Sequence, residues 1–397
     1  MTGPRVPRRT GIRARTRRRL VAALVAVLAV LVGLLVPAPA EAGPVWERVA
    51  TAGTPGGQQV YWQSMSATGP ADVWAAGYRV INLPGVTEFR TWVQHWDGNT
   101  WTTVSTPDVE SAPAVNLLSQ VSAASPTAAW AVGSYKRSDS TWAPLVLRWD
   151  GSYWSRSDIP VPSASQSYLQ SVAATSPTDV WAVGTYRDPG SFTDRAWSTH
   201  FDGSVWTTVP VQRPAVCVGD SLSVADVATA AGRVVLSGSC PVAGGTTSGF
   251  VEESVARAWR SRGTIPGIDG VAGLAIGAGG SLLVGANTAG STTVVVYRRT
   301  GGTWVAGPAL TVGRGATIEN LARGGGGARI DVVGSVTATD NGVSPLLASW
   351  TSSRGWVTSA SRVAGFARGI AEVPGGGVWA AGVDYQAAGG FFLRRAG

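Results

Sequence analysis

One apolar run in this chain is uninterrupted, residues 20–36. After residue 42 the apolar residues come in strand-sized stretches, and no helical period of useful length is found. One region shows the arrangement well. Residues 168–174 predict a strand, 180–185 a second and 196–201 a third, and a fourth begins near Val205. Ser176-Pro177-Thr178-Asp179 separates the first two. There proline presets φ and the aspartate can cap its own turn. Asp202-Gly203 separates the last two, a hairpin signal because glycine tolerates positive φ.

The same pattern recurs along the chain. Asp72-Val73-Trp74-Ala75-Ala76-Gly77, Ala129-Trp130-Ala131-Val132-Gly133 and Asp179-Val180-Trp181-Ala182-Val183-Gly184 are copies of the second strand. Each precedes a second signature: Trp96-Asp97-Gly98-Asn99-Thr100-Trp101, Trp149-Asp150-Gly151-Ser152-Tyr153-Trp154 and Phe201-Asp202-Gly203-Ser204-Val205-Trp206. Weaker copies continue to the end. The glycine recurs at Gly77, Gly133, Gly184, Gly238, Gly285, Gly334 and Gly382, with steps of 56, 51, 54, 47, 49 and 48 residues. The last tryptophan recurs at Trp46, Trp101, Trp154, Trp206, Trp259, Trp304 and Trp356.

Four antiparallel strands per repeat, seven times, predict an all-β fold: a seven-bladed β-propeller over residues 43–397. The tryptophan series starts first, with a lone fourth-strand residue at Trp46. The chain ends on a third strand, Phe391-Phe392-Leu393-Arg394-Arg395. Residues 45–49 are therefore expected to supply the missing strand of the last blade and remove the open seam.

The repeat resembles the kelch-like propeller class, which includes the propeller of galactose oxidase. Here the Asp-to-Trp spacing is shorter, and one glycine usually replaces a glycine pair. It is also similar to tandem Asp-Val-Trp-Ala-Val-Gly repeats of secreted proteins from high-GC bacteria, a group with no established activity. The resemblance covers residues 43–397 and implies the fold rather than a function.

Residues 1–42 read as a secretory signal peptide: eight arginines, the apolar run, then Pro37, Pro39 and small-x-small sites ending at Ala40 and Ala42. A retained membrane anchor is the rival reading. Export by the Sec route is expected, and Thr16-Arg17-Arg18-Arg19-Leu20 also resembles a twin-arginine signal. The leader carries 8 of 32 basic and 1 of 24 acidic residues, which leaves 24 and 23 and a net charge of +1. The high pI belongs to the leader and is no argument for nucleic-acid binding.

Cys217 and Cys240 flank a predicted hairpin (222–227 with 233–239) and suit a disulfide in an oxidising compartment. His95 and His200 share a repeat position with Arg148, Arg298 and Arg394, which makes them structural rather than catalytic or metal-binding. Gly219-Asp220-Ser221-Leu222 matches the nucleophile block of the GDSL hydrolases, but no histidine follows Ser221 to serve as base. Asp97, Asp150 and Asp202 read as hairpin caps. No catalytic residues, metal site or cofactor are assigned.

Fourteen of the 18 tryptophans sit at repeat positions and are expected to pack between blades. Trp62, Trp92, Trp142 and Trp197 fall outside the pattern, near the long variable segments 78–90, 134–141 and 185–195. They are read either as a binding surface on the long-loop face or as further packing between blades and at the rim. One aligned first-strand position carries Gln63, Ser119, Gln170, Val224, Val271, Asn320 and Arg368 and should line the central channel. Of these, Gln63, Gln170 and Arg368 are the candidate ligand-binding residues. The expected function is a secreted, monomeric, non-catalytic module that binds a glycan, cell-wall polymer or protein and no nucleic acid or membrane. The alternative is a carbohydrate-active lyase or hydrolase using Glu88, Asp188, Asp194 or Asp340.

Overall fold

The computed structural model describes Gly3 and residues 45–396, except 110–112, 163–165, 269, 278–279, 288–292, 313–314, 325–328 and 338–340. Gly3 aside, the leader lies outside the described residues, as does Asp340.

Strands form where the pattern predicts them. The copy beginning near residue 168 folds as Gln166–Ser176, Asp179–Arg187, Arg195–Phe201 and Trp206–Val209, each antiparallel to the next. Equivalent four-stranded units span 60–104, 116–156, 166–209, 223–266, 270–306 and 317–358. A seventh combines Gly365–Glu372, Val378–Asp384 and Phe391–Arg395 with Glu47–Val49 from the other end of the chain. We number these blades 1 to 7. Glu47, Arg48 and Val49 pair with Arg394, Leu393 and Phe392, so the expected closure is present. An Arg48–Asp384 ion pair of 2.8 Å adds a tie across the seam. The innermost strands touch in cyclic order, blade 1 on 2 through to blade 7 on 1. The Cys217–Cys240 disulfide is formed.

The innermost strand of every blade carries a β-bulge at an equivalent point. The extra residues are Gln63, Ser119, Gln170, Ala225, Ala272, Glu319 and Arg368. A bulge leaves one residue out of the ladder and bends the strand. The residue just before it pairs with the repeat glycine: Trp62 with Gly77, Leu118 with Gly133, Leu169 with Gly184. A Cβ on Gly77, Gly133 or Gly184 would lie 2.1, 1.9 or 1.9 Å from an inner-strand carbonyl oxygen. Glycine is therefore required by this close approach. Blade 5 corrects the expected series. There the residue before the bulge pairs with Ala286, and Gly285 lies one place earlier.

Side chains just past the bulges join neighbouring blades. Ser64 Oγ accepts the Val121 N–H at 3.4 Å, Gln120 Oε1 the Val172 N–H at 2.8 Å, and Ser171 Oγ the Val227 N–H at 2.9 Å. Asp226 Oδ2 accepts the Leu274 N–H at 2.9 Å.

Farther out, the second-strand residue of each blade meets the third- and fourth-strand residues of the next. In three interfaces the contact is aromatic: Trp379 against Trp96 and Trp101, Trp74 against Trp149 and Trp154, and Trp130 against Phe201 and Trp206. Trp181 meets Trp259 alone. Between blades 6 and 7 an ion pair takes this place: Asp331, with Arg395 at 2.7 Å.

The two histidines are each held within their own blade. His95 Nε2 lies 2.7 Å from Asp72 and His200 Nε2 2.6 Å from Asp179, and each ring packs on the tryptophan of its own blade. Blades 2 and 7 have Ala128 and Gly377 instead of the aspartate. There Arg148 and Arg394 replace histidine and lie 5.3 and 5.6 Å over Trp130 and Trp379. The hairpin caps also hold: Asp97 accepts the Asn99 and Thr100 N–H groups, each at 2.8 Å. Those bonds keep its carboxyl below the usual range.

Candidate functional site

The seven bulge residues all line one cavity of about 300 Å³ on the ring axis. Each stands two to four residues after its strand begins, on the side where the long connections enter. The cavity is thus the channel mouth of the long-loop face. Gln63, Gln170 and Arg368, all expected here, are present. Val224, Val271 and Asn320 are corrected by one place: the bulge residues are Ala225, Ala272 and Glu319. Counting back from the repeat glycine misplaces these residues because the hairpin between the first two strands is one residue shorter in blade 4 and one longer in blade 6, and in blade 5 the glycine itself lies one place earlier.

The mouth is polar and internally strained for partners. Arg368 donates through one terminal nitrogen to Gln63 Oε1 at 2.8 Å. Its Nε lies 3.4 Å from Glu319 Oε2, an ion pair without hydrogen-bond alignment. Gln170 donates to Thr185 Oγ1 at 2.9 Å. The buried atoms Gln63 Nε2, Gln170 Oε1 and Arg368 Nε have no hydrogen-bond partner. Deeper in, burial pushes the Asp226 carboxyl up, against hydrogen bonds from Ser171 at 2.7 Å and from Leu274 and Val227, each at 2.9 Å. A carboxyl buried this way, with no cation on it among the described residues, favours its neutral form.

The aromatic expectation is corrected. Trp62, Trp92 and Trp197 are 0, 8 and 2 % exposed and belong to the core. Trp62 donates to Gly389 O at 3.0 Å and packs on Phe392, in the seam between blades 7 and 1. Trp92 and Trp197 pair with Gly77 and Gly184. Leu145, Phe250 and Phe391 pair in the same way with Gly133, Gly238 and Gly382. These tryptophans follow the repeat after all, at positions where other blades use other large apolar residues. Only Trp142 is half-buried, with its ring 5.7 Å from Tyr168.

Different aromatics rim the mouth. Tyr61, Tyr168 and Phe366 each stand two residues ahead of a polar bulge residue and are half-buried. Tyr61 stacks on Tyr78 at 5.2 Å, and Arg368 lies 4.9 Å over Phe366. Strand alternation places residues two apart on one face, which is the signal that could have found them.

The expected long loop 78–90 is mostly strand: Asp72–Leu83 and Val86–Trp96 extend as one hairpin about Pro84-Gly85. The described loop carboxylates are each held by arginine: Glu88 with Arg90 at 3.0 Å, Asp188 with Arg195 at 2.9 Å, Asp194 with Arg187 at 2.5 Å.

No protein family and no curated protein matches the sequence. Solved structures do match. "YCF48 bound to D1 peptide" is 14 % identical, with 91 % of this chain and 97 % of that one covered and a TM-score of 0.54. A chain of the "Mitotic Checkpoint Complex" is 12 % identical, with 91 and 98 % covered and a TM-score of 0.55. A protein of unknown function from Dyadobacter fermentans is 10 % identical, with 89 and 99 % covered and a TM-score of 0.50. At such identities the likeness concerns the fold, and with the four-stranded blades and cyclic contacts above it makes this chain a β-propeller.

Proposed function

We propose that the protein is an exported, non-catalytic binding module that holds an extended polar chain, a protein segment or a glycan, at the channel mouth of the long-loop face. The supporting observation is the ring of bulges: it projects Gln63, Gln170, Glu319 and Arg368 into one cavity and leaves three buried polar atoms without a hydrogen-bond partner among the described residues. A buried unsatisfied donor or acceptor costs about 1–3 kcal/mol, which a ligand amide or hydroxyl can recover. Tyr61, Tyr168 and Phe366 add flat apolar faces beside those groups. A protein segment is the favoured occupant, since a solved structure with this fold is described as bound to a peptide. The leader pattern and the disulfide support export, and the repeats read as kelch-like.

Peptide and glycan arrays probed with the purified protein test this. Hits should weaken about tenfold or more in Gln63→Ala/Arg368→Ala, with the melting temperature held within a few degrees. Undiminished binding in that variant would remove the channel mouth as the site.

A further inference from the structure

The interface between blades 5 and 6 departs from the aromatic pattern in one respect. Its third- and fourth-strand residues, Trp350 and Trp356, are those of a complete interface. The second-strand position opposite them carries Leu283 where other blades have Trp74, Trp130, Trp181 and Trp379. A cleft of about 380 Å³ opens there, lined by Leu283, Val296, Arg298, Ile330, Trp350 and Trp356 among others. Trp356 is half-buried, whereas Trp101, Trp154, Trp206 and Trp259, each against a second-strand tryptophan, are buried. The wall is preformed: Trp356 Nε1 donates to Pro308 O at 2.6 Å.

Arg298 pairs with Leu283 across the strands, as Arg148 does with Trp130 and Arg394 with Trp379. Those two arginines cover the indole of their own blade. Arg298 keeps the position but has no ring beneath it. It is exposed, and no carboxylate pairs with it among the described residues.

We propose that this cleft is a second binding site, which takes an aromatic side chain carried by an acidic peptide segment. The incoming ring occupies the place of the missing indole, between Trp350, Trp356 and Arg298. A carboxylate next to that ring meets the free guanidinium charge. The cation over a π face and the charge pair favour the same ligand. The cleft reaches the short third-to-fourth-strand turns at Thr300 and Ser352 and shares no lining residue with the channel mouth. The two sites are therefore separable by mutation.

Calorimetry with the peptide acetyl-Gly-Trp-Asp-Gly-amide, compared with its Trp→Leu and Asp→Asn forms, tests the proposal. The parent peptide should bind, and each change should weaken it by about fivefold. Leu283→Trp fills the cleft from within and should abolish binding. Arg298→Gln, at an exposed position that folding does not need, should weaken binding by about fivefold and erase the Asp-over-Asn preference. Binding unchanged in both variants, no preference for tryptophan over leucine, or no binding at millimolar peptide would overturn the assignment. Indole-3-acetate binding as tightly as the peptide would also overturn it, in favour of a small aryl acid.

Discussion

Blades 7, 1, 2 and 3 and blades 4, 5 and 6 share one backbone but join their neighbours differently. In the first group, tryptophan from the second strand meets aromatic rings of the next blade. In the second group that position is Val235, Leu283 or Asp331. Blade 4 also reverses a charge pattern. Where blade 1 has Asp72 and His95, blade 4 has Arg233 and Glu253, with Arg233 Nε 2.6 Å from Glu253. The bulges continue through all seven blades regardless. The ring geometry is thus set by backbone features, and the indole signature records how the blades are packed. Where that signature lapses, side-chain space becomes available for charge networks and for a cleft.

The largest effects should come from breaking one contact of each kind. Trp130→Ala should cost about 3–5 kcal/mol, since it deletes a buried indole and leaves a cavity. Asp331→Leu should cost a similar ~3–5 kcal/mol, because Arg395 remains buried without its partner. Adding Arg395→Met should recover most of that loss, whereas no single addition rescues Trp130→Ala. Chemical denaturation of the four proteins checks this, and an uncorrected double variant would show that the pair is not a unit.

A smaller effect sharpens the comparison by pH. Glu252 in blade 4 occupies the place of Gln94 in blade 1. Burial pushes its carboxyl up to about 7, with one hydrogen bond, from the Gln212 N–H at 3.2 Å, acting against it. The folded protein then binds a proton more tightly than the unfolded chain does. Stability therefore falls as pH rises from about 4.5 towards 7 and stays low above that. Glu252→Gln should raise stability at pH 8 by about 2–3 kcal/mol and change little at pH 4.5. Melting curves at the two pH values decide it; equal shifts at both would assign the effect to something other than titration.

The smallest effect compares two glycines. A Cβ at Gly133 would meet the Leu117 carbonyl oxygen at 1.9 Å, which is fixed backbone. At Gly285 it would meet the Leu321 Cδ2 at 2.8 Å, the end of a flexible side chain. Gly133→Ala should therefore cost about 1–3 kcal/mol and Gly285→Ala clearly less. Equal costs would mean that both sit against the inner strand in the same way.

Much of the fold was legible because strands and turns follow local rules. The Asp-Gly turns, the seven tryptophans and the lone Trp46 set the phase, and the phase set the closure. Gln63, Gln170 and Arg368 were legible as channel residues because their blades keep one spacing from bulge residue to repeat glycine, which blade 6 lengthens by one residue. Glu319 was not, because a bulge is a pairing event between strands and has no residue type of its own. Trp92 and Trp197 were misplaced for a related reason: each is buried at a place set opposite a repeat glycine by strand pairing, and such a pair is not visible along the chain. Tyr61, Tyr168 and Phe366 went unnoticed because their significance depends on the bulge two residues later.

The sequence by itself determined that this protein is all β, how often it repeats, where its ring closes and that Cys217 and Cys240 could meet. These rest on side-chain alternation and turn chemistry, which act over a few residues. The tertiary structure alone decided which polar groups share the channel mouth, which indoles are buried and where an interblade space is left. Those depend on pairing across a sheet and on contacts between blades, such as Ser171 with Asp226 across 55 residues or Arg368 with Gln63 across 305. Only the closed ring brings such residues together.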